Sequence, residues 1–221
     1  MSDQEKPIAV SFTNIHNIIT RGLSTSIDGV QKVMDSQIIN AVDHKGLLLY
    51  IQALASVLHS HHLTEDEIAF PYFRDKLPGA PFDVLSLEHR GMVRLLEVMN
   101  NALANWEMND QPEVNLRHLE SALITLNDIW IPHIRVEMDD FIVKADALLP
   151  MEECVRLVAA FAEHGVKHAI PHPITVPFLL FNLPPPERAA FSQGMPAEIV
   201  QHLVPVVWKP QWEAMQPFLL T

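Results

Sequence analysis

Four segments of this chain carry apolar residues spaced alternately three and four apart, and each stripe is interrupted by histidine or by histidine and glutamate. The first runs Phe12, His16, Ile19, Leu23, Ile27, Val30, Met34, and the second Leu47, Ile51, Leu54, Leu58, His61, Glu65, Ile68, Tyr72. The third runs Phe82, Leu85, His89, Met92, Leu96, Met99, Leu103, Trp106, and the fourth Leu116, Leu119, Leu123, Leu126, Trp130, His133, Glu137, Phe141. Such spacing buries one face of a helix against its neighbours. With short connections near residues 78–81 and 107–112, the segments predict an all-α fold, an antiparallel up-down-up-down four-helix bundle over residues 8–149.

The interruptions follow a repeat. His16 and His61 lie 45 residues apart and His89 and His133 lie 44 apart, and both His61 and His133 are followed four residues later by a glutamate. Each of these residues takes a seam position that leucine would otherwise fill. Burying imidazoles and carboxylates without partners costs several kcal/mol, and a shared metal removes that cost. At about 1.5 Å per residue, His16, His61, Glu65, His89, His133 and Glu137 fall in one layer near one end of the bundle. Four imidazoles and two carboxylates in one layer point to a site for two metals. His44 and His118 sit too far along their helices to join it. His59 and His62 are read as pointing elsewhere around helix two, with His62 and Asp66 as supporting partners outside the ligand set. Pro171 breaks the helix that would align His164, His168 and His172, so that run is not expected to bind metal. Pro132 removes one backbone donor inside helix four and frees the carbonyl of Asp128.

Composition narrows the function classes. Fifteen Lys and Arg against 27 Asp and Glu give a net charge of −12, which repels nucleic acid and anionic membranes. No apolar run approaches the length of a membrane span. The single cysteine, Cys154, excludes an internal disulfide, fits a reducing compartment and is expected to be buried or inert. Residues 1–7 lack the basic-then-apolar order of a signal peptide. These features lead to the expectation of a cytoplasmic protein. There is no GxSxG, no Gly-rich phosphate loop, no HExxH and no cysteine cluster.

The run His61-His62-Leu63-Thr64-Glu65-Asp66-Glu67-Ile68-Ala69-Phe70-Pro71 resembles the HHxxEDxxxFP stretch of the hemerythrin-like HHE cation-binding family. His16, Glu88-His89-Arg90 and His133-Ile134-Arg135-Val136-Glu137 extend the likeness across roughly residues 8–148. The resemblance implies a non-heme di-iron centre of the Fe–O–Fe type inside a four-helix bundle, with the two carboxylates bridging the irons. Mixed imidazole and carboxylate ligation suits Fe, Mn or Zn. Without a standard zinc motif, iron is preferred and Mn or Zn are the lesser choices. Val93 departs from the oxygen carriers of this group, which have a second histidine there. Two octahedral ions offer about 12 positions, of which four imidazoles, two carboxylates and a bridging oxygen fill about ten. About two stay open, where a fifth imidazole would leave about one. The extra opening favours oxygen activation over reversible binding, unless Glu88 or water fills it.

Ten of 17 prolines lie from Pro171 onward, so residues 150–221 read as a Pro-rich, partly helical extension. Helices are expected over Glu152–His164, Glu187–Gln193 and Ala197–Val207, with irregular chain from Pro171 through the Pro184-Pro185-Pro186 run. Phe178, Leu179, Phe181, Trp208, Trp212 and Phe218 make it too apolar for a disordered tail. It is expected to pack on a bundle face or at an interface with a second copy of the chain. Because helix four ends beside the metal layer, it can also roof the site. The resulting expectation is a dioxygen-binding carrier, store or sensor. The alternatives are a di-iron oxidase or oxygenase acting on a small apolar substrate, and an iron storage or sensing protein.

Overall fold

The computed structural model describes residues 6–35, 41–108 and 112–220. Readings that fall on residues 1–5, and on 109–111 within the connection at 107–112, lie outside it. Among the described residues every regular element is a helix, and none is a strand. Helix α1 spans Pro7–Met34 and α2 Ala41–Thr64, continued by a π-type stretch Glu65–Ala69 and by α3, Phe70–Phe73. Helix α4 spans Phe82–Glu107 and α5 Pro112–Glu137, continued by a second π-type stretch Met138–Ile142 and by α6, Val143–Leu148. α1 packs on α2 and α5, and α4 packs on the same two, which closes a four-helix square.

Burial shows why the four run in alternating directions. One apolar cluster holds Ile8, Phe12, Phe70, Phe73, Phe82, Leu85 and Phe141, and a larger one holds Leu23, Leu54, Leu58, Met92, Leu96, Leu126 and Trp130. Along α1 and α4 the chain passes from the smaller cluster to the larger, and along α2 and α5 it passes back. At each crossing stands a buried histidine or a histidine with a glutamate. The polar layer therefore divides the core on all four helices at one level. Pro132 is accommodated within a continuous α5. Among the described residues, no helix is long and apolar enough to cross a membrane.

The extension is more regular than its prolines suggest. α7 spans Met151–His168, α8 His172–Phe181 and α9 Pro185–Ser192. A π-type stretch Ile199–Val207, α10 over Lys209–Trp212 and a 3-10 stretch Glu213–Phe218 complete it. The expectation of irregular chain from Pro171 is thus corrected by α8. Pro173 sits in the first turn of α8, where its missing donor has no helical partner to lose, and Pro177 sacrifices one bond. Burial of Ile174, Val176, Phe178 and Leu180 outweighs that loss.

Several contacts fasten the extension to the bundle. Arg21 Nη1 donates to Tyr50 Oη at 3.1 Å, to the Phe218 carbonyl at 2.9 Å and to Asn182, while Tyr50 Oη donates to Asn182 Oδ1 at 2.6 Å. At Gly46 the final segment crosses α2 so closely that a Cβ would lie 1.9 Å from the Ala214 carbonyl oxygen. α7 lies along α1 and α2, where Phe161 meets Phe12 edge-on at 5.9 Å between ring centroids.

Candidate metal centre

Each pair of buried residues on α2 and α5 ends at a change of helical register. Glu65 opens the first π-type stretch, in which the Phe70 N–H bonds to the Glu65 carbonyl five residues back. Glu137 immediately precedes the second, in which the Val143 N–H bonds to the Met138 carbonyl. Single π turns of this kind recur at functional sites. Here they let the helix beyond each glutamate re-aim its apolar face at the smaller core cluster.

All six residues singled out by spacing come together, and a seventh joins them. His16, His61, Glu65 and Glu137 bring one donor atom each within 4.8 Å of one another, and so do His62, Glu65, His89 and His133. The reading of His62 as a partner of Asp66 outside the set is corrected. His62 is 2 % exposed and stacks on His89 with ring centroids 4.1 Å apart. Asp66 instead binds His89. The reason is that α2 is buried on a face wide enough to turn both His61 and His62 inward, whereas a narrow stripe would admit one.

Glu65 belongs to both clusters. Its Oε1 lies 3.0 Å from His61 Nε2 and its Oε2 lies 3.2 Å from His89 Nε2. Glu137 Oε2 lies 3.1 Å from His16 Nε2. These are close approaches without hydrogen-bond alignment. The carboxylate oxygens of Glu65 and Glu137, Nε2 of His16 and His61, and both ring nitrogens of His62 are buried without a hydrogen-bond partner. So many unpartnered donors in one dry layer would cost far more than a marginally stable fold can bear. Cations between them remove that cost.

The outer hydrogen bonds turn the remaining lone pairs inward. His89 Nδ1 donates to Asp66 Oδ2 at 3.0 Å, and Ser86 Oγ donates to the same carboxylate at 2.5 Å. His133 Nδ1 donates to Glu88 Oε2 at 2.8 Å. Burial favours the neutral form of Asp66, but these hydrogen bonds outweigh it and hold the group below its ordinary value. With Nδ1 donating, each neutral ring presents an Nε2 lone pair, and the two Nε2 atoms face each other at 3.2 Å. Burial holds His61, His62 and His133 below the ordinary histidine range, so they stay neutral and able to coordinate. Burial and the charge of Glu137 push Glu65 well above its ordinary value, the expected response of paired carboxylates without a cation.

Aromatic rings wall the layer. Trp130 lies 5.4–6.1 Å from His16, His61, His62 and His133 and donates its indole N–H to Thr20 Oγ1 at 2.8 Å. Phe12 covers His16 and His61 from the side of the smaller cluster, and Phe70 stacks on His89. His44 and His118 stay apart, the former against Trp106. The expected separation of His172 from His164 and His168 holds, with His172 bonded to the Val166 carbonyl. Glu67, which sequence spacing did not connect to these residues, joins His164 and His168 in a third, partly exposed cluster.

Residues 11–145 match the model of the hemerythrin HHE cation-binding domain. Comparison with curated proteins and with solved structures gives no match.

Proposed function

Starting from the chain's membership of the hemerythrin HHE cation-binding domain family, we propose that it binds dioxygen at a di-iron centre held by His16, His61, His62, Glu65, His89, His133 and Glu137. The observation that carries this reading is the presence of five imidazoles in the two clusters. His62 would supply the donor that Val93 lacks, and with both carboxylates bridging, as the resemblance implies, the count of open positions would fall from about two to about one. A pair of irons there would supply reversible binding of dioxygen at that single opening, as a carrier, store or sensor requires. Manganese or zinc suits the same donors less distinctively.

The protein's own residues have separable tasks. Glu65 spans the two clusters and would hold both ions. Asp66 and Glu88 fix the tautomers of His89 and His133 and make them better donors. Trp130, Phe12 and Phe70 keep bulk water from the layer. Each cluster has four residues, the His16/His61 cluster with two imidazoles and two carboxylates and the His62/His89/His133 cluster with three imidazoles and one carboxylate. Fixed side chains for two ions argue against storage of iron in quantity. The surface charge and the lone cysteine suit a cytoplasmic protein without nucleic-acid or membrane partners.

A second reading, an oxidase or oxygenase acting on a small apolar substrate, is favoured by one observation: His61, of the cluster with two imidazoles, lines an apolar cavity. Optical spectra of the anaerobic iron-loaded protein, recorded before oxygen, after oxygen and after its removal, separate the two. A charge-transfer band that appears and reverses supports the carrier, and irreversible decay with turnover of an added substrate supports the enzyme. No response to oxygen overturns both.

A further inference from the structure

Between α1, α2 and the extension lies a cavity of about 590 Å³, well within the roughly 300–1,000 Å³ typical of small-molecule sites. The extension supplies most of its wall, including Phe161, Val176, Leu179, Phe191, Ile199 and Trp208, while α1 and α2 supply Ile15, Val57 and His61. Lys, Arg, Asp and Glu are absent from the described lining. Most of its polar side chains are already turned to the protein. Ser60 Oγ donates to the Gly165 carbonyl, Thr64 Oγ1 to the Ser60 carbonyl and Thr175 Oγ1 to the Ala169 carbonyl, each at 2.8–2.9 Å.

We propose that this cavity binds an uncharged, predominantly apolar small molecule, with one end of the molecule against His61. The wall rewards apolar area, at about 25 cal/mol per Å² buried. It offers no counter-charge for a carboxylate or ammonium, whose burial unpaired is prohibitive. Ser11 and Asn14, on the α1 side, can serve one neutral polar group such as a hydroxyl or carbonyl. Direction comes from His61. It is 8 % exposed, the most open of the seven residues in the two clusters, and the one of them that lines the cavity. The inference deepens the proposed function by naming the class of molecule that reaches the centre, but the cavity itself does not depend on the metal.

The test uses the full chain and the neutral probe N-phenyl-1-naphthylamine. Its fluorescence is expected to rise saturably at one probe per chain, to be displaced by 1-decanol, and to resist decanoate at the same concentration. Ala162→Trp and Val166→Trp, on the outer side of α7 where both residues are exposed and line the cavity, are expected to weaken probe binding at least tenfold while circular dichroism and Tm stay as in the parent. Iron content is measured on the same samples, so loss of the metal and loss of the cavity are read separately. Absence of saturable binding overturns the proposal. So does displacement by decanoate as effective as by decanol, or unchanged affinity in both tryptophan variants. Probe uptake that tracks dimer formation on sedimentation also overturns it, by assigning the apolar surface to a second copy of the chain.

Discussion

His89 and His133 meet head to head, Nε2 to Nε2 at 3.2 Å, while a carboxylate holds the far nitrogen of each ring. Two lone pairs at that distance repel unless a cation lies between them, so the outer carboxylates are part of the site. Glu88→Gln keeps a hydrogen-bond acceptor at His133 but removes the charge. Its side chain is partly exposed, so the fold is expected to survive. Iron affinity, from competition with a chelator, is expected to fall about 10–100-fold. Parent affinity in Glu88→Gln and in Asp66→Asn alike would separate these residues from the site.

His62 and His59 provide a matched comparison on one helix. His62 is buried in the second cluster, and His59 is exposed. His62→Ala is expected to lower bound iron and abolish reversible oxygen binding, whereas His59→Ala leaves both as in the parent. Equal behaviour of the two variants would return His62 to a packing role.

The bundle and six of the seven clustered residues were legible because both follow from helical period. A stripe spaced in threes and fours fixes the inner face, and a histidine on that face at a matched level must find company. His62 escaped because a narrow stripe counts one residue per turn, while α2 is packed by α1, α4, α7 and α8 and buries most of its circumference. The doublet His61-His62 is the available signal, present in the stretch that carries the family resemblance, but helical angle along a single stripe admits only one of the two. The π turns at Glu65 and Met138 escaped because one added residue changes register without changing composition. Helix α8 escaped because proline is scored as a breaker wherever it stands, although Pro173 occupies a first turn where it breaks nothing.

Docking of the extension rests on close approach at Gly46 and on the Tyr50 hydroxyl. Tyr50→Phe removes the group that Arg21 and Asn182 share and is expected to cost about 1–3 kcal/mol in denaturant unfolding. Gly46→Val cannot be accommodated without moving the Ala214 backbone. It is expected to expose residues 213–218 to limited proteolysis while the bundle stays helical. Parent stability in Tyr50→Phe and parent protease resistance in Gly46→Val would contradict this attachment.

Acid should destabilise the metal-free protein through its histidines. Burial lowers His61, His62 and His133 from an ordinary value of 6.5. Below about that pH the unfolded chain takes up protons that the folded chain refuses, so stability present at higher pH is lost as pH falls toward the folded values. Glu65, raised above 4.5, acts in the opposite sense: its contribution is present below 4.5 and is lost as pH rises through its folded value. Glu65→Gln removes that opposing slope. Thermal melts of chelator-treated Glu65→Gln are expected to show Tm falling from pH 7.5 to pH 5.5, and a flat or rising Tm would contradict the assignment of neutral imidazoles.

Two clusters that share Glu65 call for two ions, and the stoichiometry of bound metal is the closest readout of that arrangement. Iron is titrated anaerobically into metal-free protein, with bound metal measured per chain after desalting and tryptophan fluorescence, to which Trp130 beside the clusters contributes, followed in parallel. Saturation is expected near two irons per chain, with tryptophan emission quenched as they bind and a ratio below two in Glu65→Ala. Saturation at one iron or none in the parent, or two irons retained when Glu65 is replaced by alanine, would contradict it.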